Sequence, residues 1–158
     1  MPEPIFIGLG TNLGDREANL RRAIQSLSPE VSVVQESSLY QTPPWGFEDQ
    51  PDFYNQVIEA RTELSPRALL FFLKTIERQM GREKTFRYGP RLIDLDILFF
   101  GQQVLCEEAI QIPHPRLEER AFVLVPLQEI APQFVHPVLK QSITDLLARV
   151  DAEGVQKR

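Results

Sequence analysis

With only one cysteine, Cys106, the chain can form no internal disulfide and no cysteine-based metal cluster. Positive charge is also short. Seventeen Lys and Arg stand against 22 Asp and Glu, a formal net charge of −5, which argues against non-specific nucleic-acid binding. No apolar run approaches the ~18 residues that a membrane-spanning helix needs. The opening "MPEPIFIGLG" carries an acidic residue and a short apolar stretch, unlike a secretory signal. No Walker A lysine is present. The glycines of "GLGTNLGD" (8–15) miss G-x-G-x-x-G spacing by one, so that stretch reads as a turn into a helix and not a dinucleotide fingerprint. No repeat or Gly/Ser linker divides the 158 residues. The expectation is a soluble, cytoplasmic monomer, a single domain over 1–158, with no nucleic-acid or membrane partner.

What is present alternates between strand and helix patterns. "PIFIGLG" (4–10) reads as a first strand. Asp15 then caps a helix with its apolar stripe at Leu20, Ala23, Ile24 and Leu27, stopped by Ser28-Pro29. "VSVVQESSLY" (31–40) reads as a second strand, and a proline-rich loop follows over 41–52. In the third strand, 53–62, Phe53, Asn55 and Val57 share one face while Tyr54, Gln56 and Ile58 share the other. Ser65-Pro66 starts a second helix, striped by Leu69, Phe72, Leu73, Ile76 and Met80 and ended by Gly81. A polar segment leads to a fourth strand at about 92–100, and Gly101-Gln102 turns a short hairpin into "QVL". That order predicts an α+β, ferredoxin-like βαββαβ antiparallel sheet with both helices on one face. Helical additions follow from about 118 and within 142–150.

The fourth strand poses a physical problem. In "RLIDLDILFF", Asp94 and Asp96 share a face, while Ile93, Leu95, Ile97 and Phe99 are expected on the other. Two carboxylates two strand positions apart lie ~6.6 Å apart and repel by roughly 3 kcal/mol at an effective dielectric of ~20. Arginine partners, a proton, water or cations must offset that. Two readings stay open: a pair salt-bridged to Arg87 or Arg91, or a pair that holds Mg²⁺, whose shell phosphate and water complete. Arg78, Arg82, Lys84, Arg87 and Arg91 precede it closely, and arginine forks suit a polyphosphate.

Phe53 beside Asn55 places a ring for stacking next to an amide able to read a heterocycle's edge. Phe122 offers a second ring. His114, near Arg116 and Arg120, suits a phosphate contact or acid role, though on the residues alone an ordinary loop histidine is the better reading. His136 has no cluster around it and is assigned no role.

Together "GLGTNLGD", "YQTPPWG", "QPDFYNQV", "IERQMGR", "YGPRLIDLDIL" and "IPHPRLEERAFVLVPLQEIAP" resemble the 6-hydroxymethyl-7,8-dihydropterin pyrophosphokinases, in order and over nearly the whole chain. The resemblance implies transfer of the β,γ-diphosphate of ATP to the pterin hydroxymethyl group, releasing AMP, in folate biosynthesis. It implies two Mg²⁺ ions on Asp94 and Asp96, with Arg82 and Arg91 also catalytic. Glu77, Lys84, Tyr88, His114, Arg116 and Arg120 are then expected on the ATP side. The pterin is expected between Phe53 and Phe122, with Asn55, Thr42, Pro43 and Trp45 around its edge. Two rivals share the topology. A regulatory module would bind nucleotide without turnover, and an RNA-binding domain would need a basic sheet face, which the aspartates oppose.

Overall fold

The computed structural model describes residues 3–44, 49–81 and 92–158. Its elements in chain order are β1 (Ile5–Thr11), α1 (Arg16–Leu27), β2 (Val31–Glu36), β3 (Tyr40–Thr42), β4 (Phe53–Thr62) and α2 (Pro66–Gln79). After these come β5 (Asp94–Phe100), β6 (Leu105–Cys106), β7 (Gln111–Ile112), α3 (Ala121–Ile130), α4 (Ile143–Leu147) and β8 (Gln156–Lys157). The result is a mixed α/β fold around an antiparallel sheet with four α-helices among the described residues.

Strands run across the sheet in the order β5-β1-β4-β3-β8, and β2 pairs with the far half of the same edge of β4 that β3 occupies. Every pairing is antiparallel. β1 is central and buried on both faces. Ile5, Ile7 and Leu9 point to one side, where Leu20, Ala23 and Leu27 of α1 and Leu69, Leu73 and Ile76 of α2 complete the larger core. Each such fully buried aliphatic contributes about 1.5–3 kcal/mol. α3 and α4 cover the opposite face through Leu124, Leu127, Ile143 and Leu146 against Phe6, Val57 and Phe99.

The helix signals act as their chemistry dictates. Asp15 caps α1 by accepting from Ala18 N–H, and Ser65 caps α2 by accepting from Ala68 N–H, with Pro66 at the first position. Gly81 ends α2 with a φ of +84°, which glycine adopts without strain.

Several sequence expectations are corrected. The 31–40 stretch is two strands, broken at 37–39, because Ser37 turns its side chain into the ladder and donates its N–H to Val57 O. The fourth strand begins at Asp94. Phe99 does not share a face with Ile97: Phe6 pairs with Phe99 and Ile7 with Ile97, so Leu98 is an extra, bulged residue. Leu98 and Phe99 therefore both enter the smaller core, and Phe100 returns to the larger one. No hairpin forms from β5 into "QVL"; Leu105–Cys106 pairs instead with Gln111–Ile112. The helix expected from about 118 is a 3₁₀ turn, Leu117–Glu119, followed by α3. Gly8 and Gly10 lie in β1, as the strand reading over 4–10 has it, and the turn read over 8–15 is confined to the residues after Thr11.

Candidate active site

β5, β1 and β4 lie side by side, and their registers build a floor. Asp94 pairs with Gly10, which pairs on its other side with Asn55; Asp96 pairs with Gly8, which pairs with Val57. Adjacent strands are about 4.8 Å apart, so the acidic row and the Asn55 row are separated by about 10 Å. Glycine fills the row between them. A Cβ at Gly10 would lie 3.0 Å from Asn55 Oδ1, and one at Gly8 would lie 3.3 Å from Leu98 Cδ2. Paired glycines on one strand face thus keep a trough open between two carboxylates and an amide.

Walls rise around this trough to enclose a pocket of about 210 Å³. Thr42 and Pro43 stand at the β3 end, and Phe53 and Asn55 come from β4. Phe122 and Val123 come from α3, and His114 and Arg120 from the segment before it. Nine of the residues singled out in the sequence meet here: Asp94, Asp96, Thr42, Pro43, Phe53, Asn55, Phe122, His114 and Arg120.

Local bonding sets how these groups point. Asn55 Nδ2 donates one of its two N–H groups to Thr42 Oγ1 at 2.7 Å in a buried contact, which orients the amide with Oδ1 as the acceptor on the Gly10 side. His114 N–H donates to Leu98 O at 2.9 Å, tying the histidine to the bulge of β5. Its Nδ1 lies 2.8 Å from Pro115 O, a contact that requires the hydrogen on Nδ1 and leaves Nε2 for another partner. Arg120 guanidinium sits 5.7 Å from the centre of the Phe122 ring. Among the described residues its buried Nε finds no hydrogen-bond partner, which leaves a cationic donor on a side chain that lines the pocket.

Two candidates lie elsewhere. Glu77, 2% exposed, sits on α2 behind the sheet and accepts Leu95 N–H through Oε2 at 2.7 Å, with Lys74 Nζ 3.4 Å from Oε1. It therefore grips the backbone between Asp94 and Asp96 and is not part of the pocket wall. Arg116 is exposed at a φ of +68° and pairs with Glu119 at 3.3 Å. Trp45, Arg82, Lys84, Tyr88 and Arg91 lie outside the described residues, as does Arg87.

Sequence reasoning missed Gly8, Leu9, Gly10, Gln56, Val57, Leu98 and Val123 as pocket residues. The signal for the glycines was available: positions two apart in a strand share a face, and glycine there marks close approach. Also unforeseen was Glu129 on α3, which accepts Tyr40 OH at 2.6 Å and both the N–H and hydroxyl of Ser38. Burial, and then the Glu129 contact, push the Tyr40 phenol well above its ordinary value. Burial alone would raise Glu129, but the bonds from Tyr40 and Ser38 outweigh it and hold this carboxyl below its usual range.

Among the described residues no group of three or more His, Cys, Asp or Glu could hold a metal ion. A closed protein cage is therefore not built there. Asp94 and Asp96 are instead an oxygen-only pair beside an open pocket, the donor set that suits a hard cation whose remaining ligands are phosphate and water.

Residues 6–132 match the family model described as 7,8-dihydro-6-hydroxymethylpterin-pyrophosphokinase (HPPK). The chain is 44% identical over 153 residues to the 2-amino-4-hydroxy-6-hydroxymethyldihydropteridine pyrophosphokinase of Bacillus subtilis (strain 168), covering 96% of this chain and 87% of that one. It is also 44% identical over 149 residues to the folic acid synthesis protein fol1 of Pneumocystis carinii, covering 94% of this chain and 20% of that one. The crystal structure of Plasmodium falciparum HPPK-DHPS wild type superposes with a TM-score of 0.76 at 16% identity, over 94% of this chain and 45% of that one. At that identity the likeness is one of fold. The chain thus spans about a fifth of fol1 and under half of the Plasmodium chain, but most of the Bacillus relative.

Proposed function

The chain belongs to the 7,8-dihydro-6-hydroxymethylpterin-pyrophosphokinase family, and from that premise we propose that its pocket transfers the diphosphate of ATP to the hydroxymethyl group of 6-hydroxymethyl-7,8-dihydropterin, with release of AMP. Membership makes it an ATP-using transferase of folate synthesis. In this reading the hydroxymethyl oxygen bonds to the β-phosphorus as the Pα–O–Pβ linkage breaks. Such a step needs alignment and charge neutralisation more than covalent help from the protein.

The observation that carries the reading is that Asp94 and Asp96 open onto the same pocket as Asn55, Phe53 and Phe122. The pterin occupies the Phe53–Phe122 end, where flat rings gain from stacking. Asn55 Oδ1 accepts from the ring's amino or N–H edge, since the bond from Nδ2 to Thr42 turns the oxygen toward the Gly10 side of the pocket. Thr42 and Pro43 close that side. His114 Nε2 and Arg120, whose Nε has no partner, face the phosphates. Asp94 and Asp96 would hold two Mg²⁺ ions, which when bound would neutralise phosphate charge. Arg82, Lys84, Tyr88, Arg91 and Trp45 complete the proposed phosphate and pterin contacts, and Arg116 and Glu77 lend support from outside the pocket.

The strand order β5-β1-β4-β3, together with α1 and α2 packed on one face, supports a ferredoxin-like classification of this sheet. Among the described residues no helix is long and apolar enough to cross a membrane. Product analysis tests the function: incubation with ATP, Mg²⁺ and hydroxymethyl-dihydropterin is expected to give AMP and pterin diphosphate in equal amounts. ADP formation, or binding of both ligands without turnover, would favour a different kinase or a regulatory module.

A further inference from the structure

The segment after α4 lies beyond the span that the family model matches, yet it packs against the pocket wall. β3, which ends in Thr42, has only three residues, too few to hold a position alone. On one side β4 pairs with it; on the other, β8 supplies Tyr40↔Lys157 and Gln41↔Gln156. Arg158 N–H then donates to Leu39 O at 2.8 Å. Just before β8, the chain turns with Val155 N–H donating to Ala152 O, and this brings Gly154 beneath Pro43. A Cβ built on Gly154 would lie 3.4 Å from both Cδ and Cγ of that proline.

We propose that residues 152–158 are a positioning element for the heterocycle side of the pocket. They brace β3 and Pro43 so that Thr42 Oγ1 holds the Asn55 amide at its working orientation. The inference rests on the reading of Thr42, Pro43 and Asn55 as the pterin wall. It separates the two substrates: Asp94, Asp96, His114 and Arg120, on the phosphate side, lie on β5 and the segment before α3, whereas β8 pairs with β3 on the heterocycle side. Disturbing the tail therefore raises the KM for pterin and leaves the KM for ATP and kcat in place.

Four variants of the chain test it. Gly154→Val crowds Pro43, whereas Gly154→Ala adds one methyl at an ordinary contact distance. Arg158→Pro removes the N–H that bonds Leu39, whereas Arg158→Ala keeps it. Gly154 lies in an exposed turn, so folding is not at stake, and circular dichroism checks it. Gly154→Val and Arg158→Pro are expected to raise the pterin KM roughly fivefold, the scale of one displaced hydrogen bond, with the ATP KM unchanged. Both are expected to shift the Asn55 side-chain amide resonance, while the alanine variants match the unaltered chain. An unmoved pterin KM and amide resonance, or equal losses for both substrates, overturn the proposal. If the unaltered chain transfers no diphosphate, the functional reading fails instead, and the Asn55 resonance still decides the role of the tail.

Discussion

Gly10 of β1 faces Asn55 of β4 so closely that a Cβ on the glycine would lie 3.0 Å from the asparagine Oδ1. That distance is shorter than nearly all carbon contacts of its kind. It makes Gly10 a specificity feature: any larger residue displaces the acceptor proposed for the pterin edge. Gly10→Ala is expected to retain the fold and raise the pterin KM about tenfold, with the ATP KM little changed, the cost of losing or tilting one buried hydrogen bond. Steady-state kinetics in each substrate provides the check, and an unchanged pterin KM would remove Asn55 Oδ1 from recognition.

Asp96 is expected to matter for turnover and not for folding. Its side chain borders the pocket on a strand whose opposite face supplies the core, so Asp96→Ala leaves Leu95 and Ile97 packed. Loss of a group that aligns phosphate charge is expected to cut kcat by about 10²-fold or more. Rapid-quench assays at saturating ATP and Mg²⁺ measure this, and thermal unfolding confirms the fold. A kcat within twofold of the unaltered chain would refute the metal-holding role.

Glu77 is expected to show the reverse pattern. Glu77→Ala leaves Leu95 N–H buried without its acceptor, a loss of about 2 kcal/mol, or about 4–8 °C in a chain of this size. Glu77→Gln keeps an acceptor and is expected to recover most of the loss. Calorimetry of both variants distinguishes a backbone strut from a residue whose only business is with ATP.

His136 gives a pH dependence with a definite sign. The ring is buried beside Phe99 at 5.5 Å, and Nδ1 accepts from Val138 and Leu139 N–H, both at 3.1 Å. Burial lowers its pKa from the ordinary 6.5, with Glu118 opposing weakly. Below that ordinary value the unfolded chain binds the proton more readily, so stability present at pH 7 is lost as pH falls through the folded pKa. Denaturant midpoints at pH 7 and pH 5 should fall more steeply in the unaltered chain than in His136→Phe. Parallel slopes would show that other groups carry the acid sensitivity.

Much of this arrangement was legible in the sequence because strand and helix periods are short-range. Alternation over 53–58 put Phe53 with Asn55, and the two aspartates, spaced by one residue, had to share a face. Asp15 and Ser65 announced their helices through capping chemistry that needs only neighbouring N–H groups. The misreadings came where tertiary contacts decide. The bulge at Leu98 follows from pairing with β1, and nothing in "LDILFF" itself marks it. Likewise β3 is separated from β2 by Ser37 bonding across to Val57. Gln156–Lys157 becomes a strand only because β3 offers it an open edge. Gly8 and Gly10 fell within the strand read over 4–10, but their place on the pocket floor depends on the registers with β4 and β5, which the run itself does not reveal. Glu77 was placed by family resemblance alone, and its backbone contact has no sequence signature.

The most direct measurement is a crystal structure of the chain with a non-hydrolysable ATP analogue, Mg²⁺ and hydroxymethyl-dihydropterin. The expected result places cations between the phosphates and the carboxylates of Asp94 and Asp96. It also places the pterin ring between Phe53 and Phe122, with its amino edge on Asn55 Oδ1. A pterin bound outside this pocket, or aspartates turned away from the phosphates with no cation between, would contradict it.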